Sequence, residues 1–309
     1  MHGVLLLDKP LGLSSNQALG KAKFLLKIKK AGHTGTLDPL ATGLLPLCFG
    51  EATKFSADLL EADKTYETVV KLGITTTTGD AEGEVLTQTD HLPNLTQIEA
   101  VLPQFRGEIE QVPPMYSALK HQGKALYEYA RNGVEVVRAA RRVTIHQLDC
   151  LRYDAVAGLL ALRVRCSKGT YIRTLGEEIG QALGCGGYLQ TLRRLAVGEL
   201  TIADALTLEV LSQRLADKQP VLAPLDTLLQ GLPKIALQVE WAQRFRHGQR
   251  LALRSESHYA GQLASLFTSA QLTEETRLVR VYDDQAQLLG TAELNANGRL
   301  QPQRLVSLN

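Results

Sequence analysis

The 309-residue chain lacks several features that would assign it to a familiar class of protein. No apolar stretch approaches the roughly 20 residues that a membrane span needs, and the short apolar run at residues 4–7 has no basic segment before it, as a signal peptide would. The cysteines are too scattered for a zinc motif and too few for a disulfide framework, so we expect free thiols in a cytoplasmic protein. They are Cys48, Cys150, Cys166 and Cys185.

Charge is also nearly balanced, since the net charge is only +2, and this value alone neither favours nor excludes a nucleic-acid partner. The distribution is less even, with lysines concentrated at 21–30 and arginines at 244–250. Such a run is usually a solvated face, and contact with phosphate groups is the functional alternative. The length suits one large or two ordinary domains, and there is no internal repeat or low-complexity segment.

Hydrophobic periodicity predicts a mixture of strands and helices. The predicted strands are 4–7, 66–74 and 160–166. Four helices are predicted. The first begins at Ser14 or Ser15, and the others cover 51–63, 98–105 with an end at Gly107, and 172–184. A polar loop at 75–83 and an excursion at 116–140 interrupt them. Because the elements do not alternate in a regular parallel βαβ rhythm, we predict a mixed α+β fold.

The pattern loosens around residues 229–233, and we place a domain boundary there, between 1–232 and 233–309. Beyond the boundary the predicted strands are 278–282, 288–294 and 300–305, with turns at Asp283-Asp284 and Asn297-Gly298. Short strands joined by tight turns predict a small β-barrel module. Residues 255–276 are an insertion that is longer than such a module needs.

The segment from Gly32 to Gly43, GHTGTLDPLATG, contains a single carboxylate, Asp38. Pro39 restricts Asp38 to extended geometry, and the neighbouring glycines allow the backbone to turn tightly or to approach a ligand. A stiff turn of this kind can present a catalytic acid. Alternatively, Asp38 is a helix N-cap and Pro39 is the first helical residue.

This segment resembles the catalytic motif of the TruB family of pseudouridine synthases, which convert a uridine in the T-loop of tRNA to pseudouridine. Five further segments resemble family motifs in the same order. They are DKPLGLSS (8–15), KTYE (64–67), PMYSALK with the following GK and LY (114–127), SKGTYIRTL (167–175) and LRRL (192–195). The resemblance covers residues 3 to about 200. It implies a largely antiparallel sheet in the catalytic domain, an RNA-gripping insertion at about 116–140 and a C-terminal PUA-like domain at 233–309.

The resemblance also implies a reaction: the N1–C1′ bond of a uridine is broken, the uracil is turned, and the ring is rejoined through C5. No redox change or group donor is involved, so no cofactor and no metal ion are expected, in line with the missing nucleotide-binding and metal-ligand motifs. A base inside folded RNA must first be flipped out. The expected partner is the T-arm of tRNA, bound without a guide RNA by a protein that need be no more than a monomer.

Three residues match the catalytic set of the family. Asp38 matches the aspartate, which could attack C1′ or C6 or remove the C2′ proton. Arg173 matches the arginine that orients this carboxylate and favours its charged form, although by spacing alone it could pair with Glu177 on a helix surface. Tyr66 matches a tyrosine that stacks on the uracil and assists proton removal from C5, but an arbitrary strand tyrosine is more often core.

Further residues are assigned to the RNA through the same resemblance. His33 would occupy the space that the flipped base leaves, and Leu192 would form an apolar wall against the uracil. Lysines in turns would meet phosphate, and basic residues interleaved with aromatics in the excursion suit a segment that grips RNA. The residues assigned in this way are Lys9, His33, Lys120, Lys124, Lys168, Tyr171 and Leu192.

Two other functions remain open. One is a non-catalytic tRNA-binding or RNA-folding module with a vestigial site, although the intact Asp38, Tyr66 and Arg173 argue against it. The other is a metal-dependent RNA hydrolase, which would need clustered carboxylates. The nearest candidates are Asp80, Glu82 and Glu84.

Overall fold

A computed structural model describes residues 1–267 and 276–307. Within them the strands are β1 (Gly3–Lys9), β2 (Ala31–His33), β3 (Ala41–Phe49), β4 (Lys64–Leu72), β5 (Ile74–Thr76), β6 (Val85–Gln88), β7 (Gly107–Gln111), β8 (Lys120–His121), β9 (Lys124–Ala125), β10 (Arg141–Asp154), β11 (Leu159–Cys166), β12 (Gly187–Val197), β13 (Leu200–Thr201), β14 (Lys234–Ala236), β15 (Leu251–Ala252), β16 (Thr276–Tyr282), β17 (Leu288–Asn295) and β18 (Arg299–Leu305). The α-helices are α1 (Ser15–Leu26), α2 (Ser56–Leu60), α3 (Leu95–Val101), α4 (Leu126–Arg131), α5 (Ile172–Ala182), α6 (Leu208–Ala216), α7 (Val239–Arg246) and α8 (Ala260–Leu266). None of these helices has the length and apolar character that a membrane crossing requires.

The larger sheet has nine strands in the order β1-β3-β12-β4-β11-β10-β7, with β2 added to β3 and β13 added to β12. Among its described strands, only β3 and β12 run parallel. The predicted mixed, largely antiparallel α+β fold is therefore confirmed. The central position of β12 matters for function, because it places residues 192–194 between the start of β3 and the start of β4.

One face of this sheet is covered by α1 and α5, which share a single apolar core with the strands. The core side of α1 is formed by Ala18, Ala22 and Leu26, as its periodicity predicts, and Ser14 caps the helix through a capping box with Gln17. The core side of α5 includes Leu175 and Ile179. Each large apolar side chain buried here contributes about 1.5–3 kcal/mol to folding, so the two helices are held firmly over the middle of the sheet.

Two predicted elements differ in detail from the structure. The helix predicted over 51–63 is a 3₁₀ helix, Gly50–Phe55, followed by the short α2. Ala52 and Phe55 lie three residues apart, the repeat of a 3₁₀ helix, and both are buried. The loop predicted at 75–83 is shorter than predicted, because Thr75 and Thr76 belong to β5. This strand pairs with β6, and the hydroxyls of Thr75 and Thr87 lie 2.6 Å apart across the pair.

The C-terminal part has a five-stranded sheet in the order β14-β16-β17-β18-β15. The three strands predicted beyond the boundary are confirmed as β16, β17 and β18, and the sheet fits a PUA-like domain. The carboxylate of Asp283 accepts hydrogen bonds from the backbone of Gln285 and Gln287, which closes the first predicted turn. Part of the predicted 255–276 insertion, residues 268–275, lies outside the described residues, as do residues 308–309.

The second face of β1 and β3 packs against the C-terminal sheet. Val4, Leu6 and Leu44 share one apolar cluster with Tyr282 and Leu288. Polar contacts surround this cluster, including an ion pair from Arg304 to Asp58 at 2.7 Å and a hydrogen bond from Lys54 to the carbonyl of Leu305 at 2.9 Å. The two sheets therefore share a continuous apolar contact with polar contacts at its edge.

Candidate active site

Asp38 lies in the turn between β2 and β3, with its side chain 49% exposed. The turn is fixed by Ser15 at the start of α1. The Ser15 hydroxyl accepts a hydrogen bond from the backbone N–H of Leu37 at 2.7 Å and donates one to the Leu37 carbonyl at 3.1 Å. The N–H of Ala41 donates to the Asp38 carbonyl at 3.0 Å, and β3 follows directly. Because no helix begins here, the N-cap interpretation of Asp38 is wrong.

Arg173, the second residue of α5, is buried against Asp38. Its Nη2 donates to Asp38 Oδ2, and its Nε forms an ion pair with Asp80 Oδ2 at 3.1 Å. Its Nη1 lies 3.3 Å from the carbonyls of both Thr78 and Tyr116. Only 7% of the Arg173 side chain is exposed. A guanidinium held on every side in this way orients one carboxylate oxygen, and the alternative pairing with Glu177 on a helix surface is wrong.

Asp80 is the partner that sequence reasoning missed. Its side chain is 5% exposed, and its second oxygen accepts hydrogen bonds from the Thr78 hydroxyl at 2.5 Å and from the backbone N–H of Glu82 at 3.1 Å. The sequence shows only a carboxylate in a glycine-bearing loop, and we grouped it with Glu82 and Glu84 as a possible metal cluster. That grouping is not supported, because no three His, Cys, Asp or Glu residues in the described chain converge to hold a metal ion.

Tyr66 lies on β4 and faces the same core as α1 and α5. Burial raises the pKa of its hydroxyl, the positive charge of Arg194 opposes the rise, and the negative charge of Asp38 adds to it. Tyr66 is therefore a buried residue that also borders the site. Leu192, half-buried on β12, lies opposite Ala41 on β3 and opposite Thr68 on β4. The fold thus brings Asp38, Tyr66 and Arg173 together from three separate elements, and Leu192 lies two residues before Arg194, which pairs with Tyr66.

His33 lies on β2, close to the turn that contains Asp38. Its ring is half-buried, Nδ1 has no hydrogen-bond partner among the described residues, and burial lowers the pKa of the imidazole. Tyr171 precedes α5, where Gln111 accepts a hydrogen bond from its N–H at 3.0 Å. Burial raises the pKa of the Tyr171 hydroxyl, which lies beside Ser117. Both residues border the region around Asp38.

Lys9 does not lie where a phosphate could reach it, so the expectation of an RNA contact there is wrong. Gly12 adopts a left-handed conformation, and the backbone on either side of it accepts hydrogen bonds from the Lys9 ammonium. These bonds go to the carbonyls of Pro10 at 3.0 Å and Leu13 at 2.5 Å. Lys9 is fully buried. This burial lowers the pKa of Lys9 to about 8, while the nearby Asp38 carboxylate acts in the opposite direction. Its contribution is to hold the turn.

The other predicted RNA contacts are exposed. Lys168 pairs with Glu61 at the surface. Lys120 and Lys124 lie on the hairpin that β8 and β9 form in the excursion, and α4 follows. The excursion reaches the site through the carbonyl of Tyr116, which accepts a hydrogen bond from Arg173.

Comparison with known proteins shows the family of the chain. Residues 23–172 match the model of the TruB family pseudouridylate synthase N-terminal domain, residues 173–230 that of the tRNA pseudouridylate synthase B C-terminal domain, and residues 233–306 that of the pseudouridine synthase II TruB C-terminal domain. A protein from Cupriavidus metallidurans named tRNA pseudouridine synthase B is 57% identical, over 100% of this chain and 95% of its own length. The chain belongs to the TruB family.

Two further TruB relatives, also named tRNA pseudouridine synthase B, come from Ralstonia nicotianae and Burkholderia pseudomallei. They are 58% and 54% identical, over 100% and 99% of this chain and 95% and 97% of their own lengths. Among solved structures, an H/ACA RNP bound to a substrate RNA containing 2′-deoxyuridine matches with a TM-score of 0.72 at 22% identity, over 99% of this chain and 85% of that one. At this identity the match shows the shared pseudouridine synthase fold.

Proposed function

We propose that this protein isomerises a specific uridine in the T-loop of tRNA to pseudouridine, without a guide RNA. The names of its close TruB relatives support a tRNA substrate. The observation that carries the chemistry is the state of Asp38. Its carboxylate is oriented by Arg173, its turn is fixed through the Ser15 bonds to Leu37, and its side chain is still half exposed to an incoming base. A catalytic carboxylate needs both a fixed orientation and access to the substrate, and Asp38 has both.

Asp38 acts on the flipped nucleotide by attack at C1′ or C6 or by removal of the C2′ proton. In each case the N1–C1′ bond breaks, a C5–C1′ bond forms, and the proton on C5 is lost. Arg173 keeps one Asp38 oxygen occupied, so that the other faces the substrate. Tyr66 borders the uracil and assists removal of the C5 proton, while Leu192 supplies an apolar wall that keeps water from the bond being broken.

The RNA contacts follow from the same proposal. Lys120, Lys124 and Lys168 meet the phosphate backbone, and Lys168 exchanges its exposed pair with Glu61 for that contact, because a surface ion pair contributes only about 0–1 kcal/mol. Tyr171 and His33 border the flipped nucleotide. Residues 1–232 form the catalytic domain, and residues 233–309 form a PUA-like domain that binds RNA. The protein acts in the cytoplasm as a monomer.

The test is incubation of the pure protein, in EDTA, with an unmodified tRNA transcript, followed by mapping of pseudouridine with carbodiimide and primer extension. We expect one new pseudouridine in the T-loop. Asp38→Asn should abolish the product and leave tRNA binding largely intact, because the amide preserves the shape of the site. Tight tRNA binding by the wild type without any product would instead support a non-catalytic tRNA-binding module.

A further inference from the structure

Arg194 is a buried cation behind the catalytic turn. It lies on β12 and is 1% exposed. Its Nε donates to the carbonyl of Leu44 at 2.7 Å, and Nη1 lies 3.5 Å from the carbonyl of Thr36, two residues before Asp38. Its Nη2 has no hydrogen-bond partner among the described residues. The guanidinium is therefore fixed in place with one of its donors unused.

No carboxylate forms an ion pair with Arg194 in the part of the chain that the structure describes, in contrast to Arg173 and Arg193. A buried charge costs free energy unless it is paired and fully hydrogen-bonded. Arg194 is only partly compensated by backbone carbonyls. A negative charge that forms next to Arg194 only during the reaction would provide the missing compensation.

Tyr66 is the group that can carry this charge. Arg194 and Tyr66 are direct partners in the antiparallel register of β12 and β4, and paired residues project from the same face of a sheet. The positive charge of the guanidinium favours the ionised form of the Tyr66 hydroxyl. The other groups that act on this hydroxyl are Cys166 from β11 and Asp38 from the catalytic turn, and both disfavour a phenolate. Arg194 is the cation with the strongest effect on the Tyr66 hydroxyl, and Lys9 and Lys64 are two further cations near Arg194 that titrate in the same pH range.

We propose that Arg194 is a positioning residue that stabilises the phenolate of Tyr66, the form in which Tyr66 accepts the proton from C5 of the isomerised base. The Tyr66 hydroxyl first loses its proton to hydroxide, giving water. After the C5–C1′ bond has formed, the C5–H bond breaks, its electron pair returns to the uracil ring, and the proton passes to the phenolate oxygen. This inference rests on the proposed function and adds the group that makes the tyrosine a base.

The test compares Arg194→Met and Arg194→Lys with Arg193→Met. Arg193 is a matched control, because it is the adjacent arginine on β12, is 41% exposed and pairs with Asp8. Pseudouridine formation on a tRNA transcript is measured in single turnover from about pH 7 to pH 10. If the Tyr66 phenolate is the base, the rate rises with pH as Tyr66 loses its proton, and this increase is the rising limb of the profile. We expect Arg194→Met to move the rising limb by at least about one pH unit to higher pH, which is a tenfold slower reaction at a given pH below it. Arg194→Lys should move it less, and Arg193→Met should not move it.

A second readout follows Tyr66 in the free protein. The phenolate absorbance near 295 nm of each Arg194 variant and of the wild type is titrated against the same protein carrying Tyr66→Phe. We expect the Tyr66 transition to shift upward in Arg194→Met, and in Arg194→Lys to a smaller degree. A merely structural role would lower the rate at all pH values and leave this transition where it is.

An unchanged pH profile and an unchanged Tyr66 transition in a folded Arg194→Met protein would overturn the proposal. If that variant does not fold, Arg194→Gln decides in the same way, because it removes the positive charge and keeps a polar group that can donate to a backbone carbonyl. These outcomes leave the proposed function intact so long as the wild type forms pseudouridine and Asp38→Asn does not. Absence of product from the wild type would instead refute the proposed function.

Discussion

Asp80→Asn should slow the reaction strongly, although Asp80 is too deeply buried to touch the substrate. Asp80 provides a negative charge 3.1 Å from Arg173 Nε, and the two side chains are 5% and 7% exposed. The asparagine oxygen can still accept a hydrogen bond, but the charge is lost. Among the described residues, Arg173 is then left with Asp38 as its only ion pair, and it draws that carboxylate away from the uracil.

The size of this effect follows from the burial. Removing one partner of a buried ion pair costs about 3–5 kcal/mol, and the asparagine oxygen retains part of this, so that the loss is about 1.5–3 kcal/mol, the value of a hydrogen bond to a charged group. If the loss is felt in the transition state, it corresponds to a reaction slower by roughly 10- to 100-fold. Binding of tRNA should change little, because the Asp80 side chain is only 5% exposed and cannot contact the RNA itself.

The assay is single-turnover release of tritium from tRNA labelled at C5 of uridine, together with filter binding for the dissociation constant. Asp58→Asn is the matched control, since it breaks an ion pair with Arg304 at 2.7 Å between the two sheets. It should leave the single-turnover rate unchanged. If Asp80→Asn reacts within threefold of the wild type, Asp80 does not position Arg173 for catalysis, and our interpretation of the buried pair is refuted.

Three more predictions concern the surroundings of the site. Burial lowers the pKa of Lys9 to about 8 from 10.5, so the folded protein gives up this proton first and Lys9 adds to the free energy of unfolding as the pH rises between these values. Lys64, with a pKa of about 8, adds in the same way, so Lys9→Met should remove only part of this pH dependence in urea titrations. Ser15→Ala should lower the free energy of unfolding by about 1–3 kcal/mol and reduce kcat, because the Leu37 N–H loses its partner. Lys21→Gln, on the exposed side of α1, and Lys27→Gln, at the residue that follows this helix, should each lower the salt slope of tRNA binding by about 0.7–0.9 if they contact phosphate. An unchanged slope would show that these lysines contact only solvent.

Local patterns predicted much of the fold. Strands with alternating burial, such as β4 and β11, and the amphipathic helix α5 were predicted close to their observed bounds, because their periodicity reports directly which side chains are buried. The helix predicted over 51–63 was less accurate, since the spacing of Ala52 and Phe55 suits a 3₁₀ turn as well as an α-helix. Patterns of three or four residues cannot separate these two geometries.

In the site, too, local features are predictable from the sequence and long-range contacts are not. The turn at Asp38 is a local feature, and the order of the motifs along the chain is enough to identify the family. Arg173 is 135 residues from Asp38 in the chain, and by spacing alone its surface pairing with Glu177 was as plausible as an ion pair with Asp38. Lys9 was expected at phosphate and is instead fully buried, because a turn conformation decides its exposure.

The sequence by itself therefore determined the family, the single carboxylate in the turn at Asp38 and several of the strands and helices, since these depend on residue types and short spacings. Only the tertiary structure decided that Asp80 holds Arg173, that Ser15 fixes the turn, and that Arg194 lies unpaired against Tyr66. These relations depend on the pairing of β3, β12 and β4 and on the docking of α1 and α5 over them. Long-range register and burial arise when the whole chain packs, and no short segment carries them.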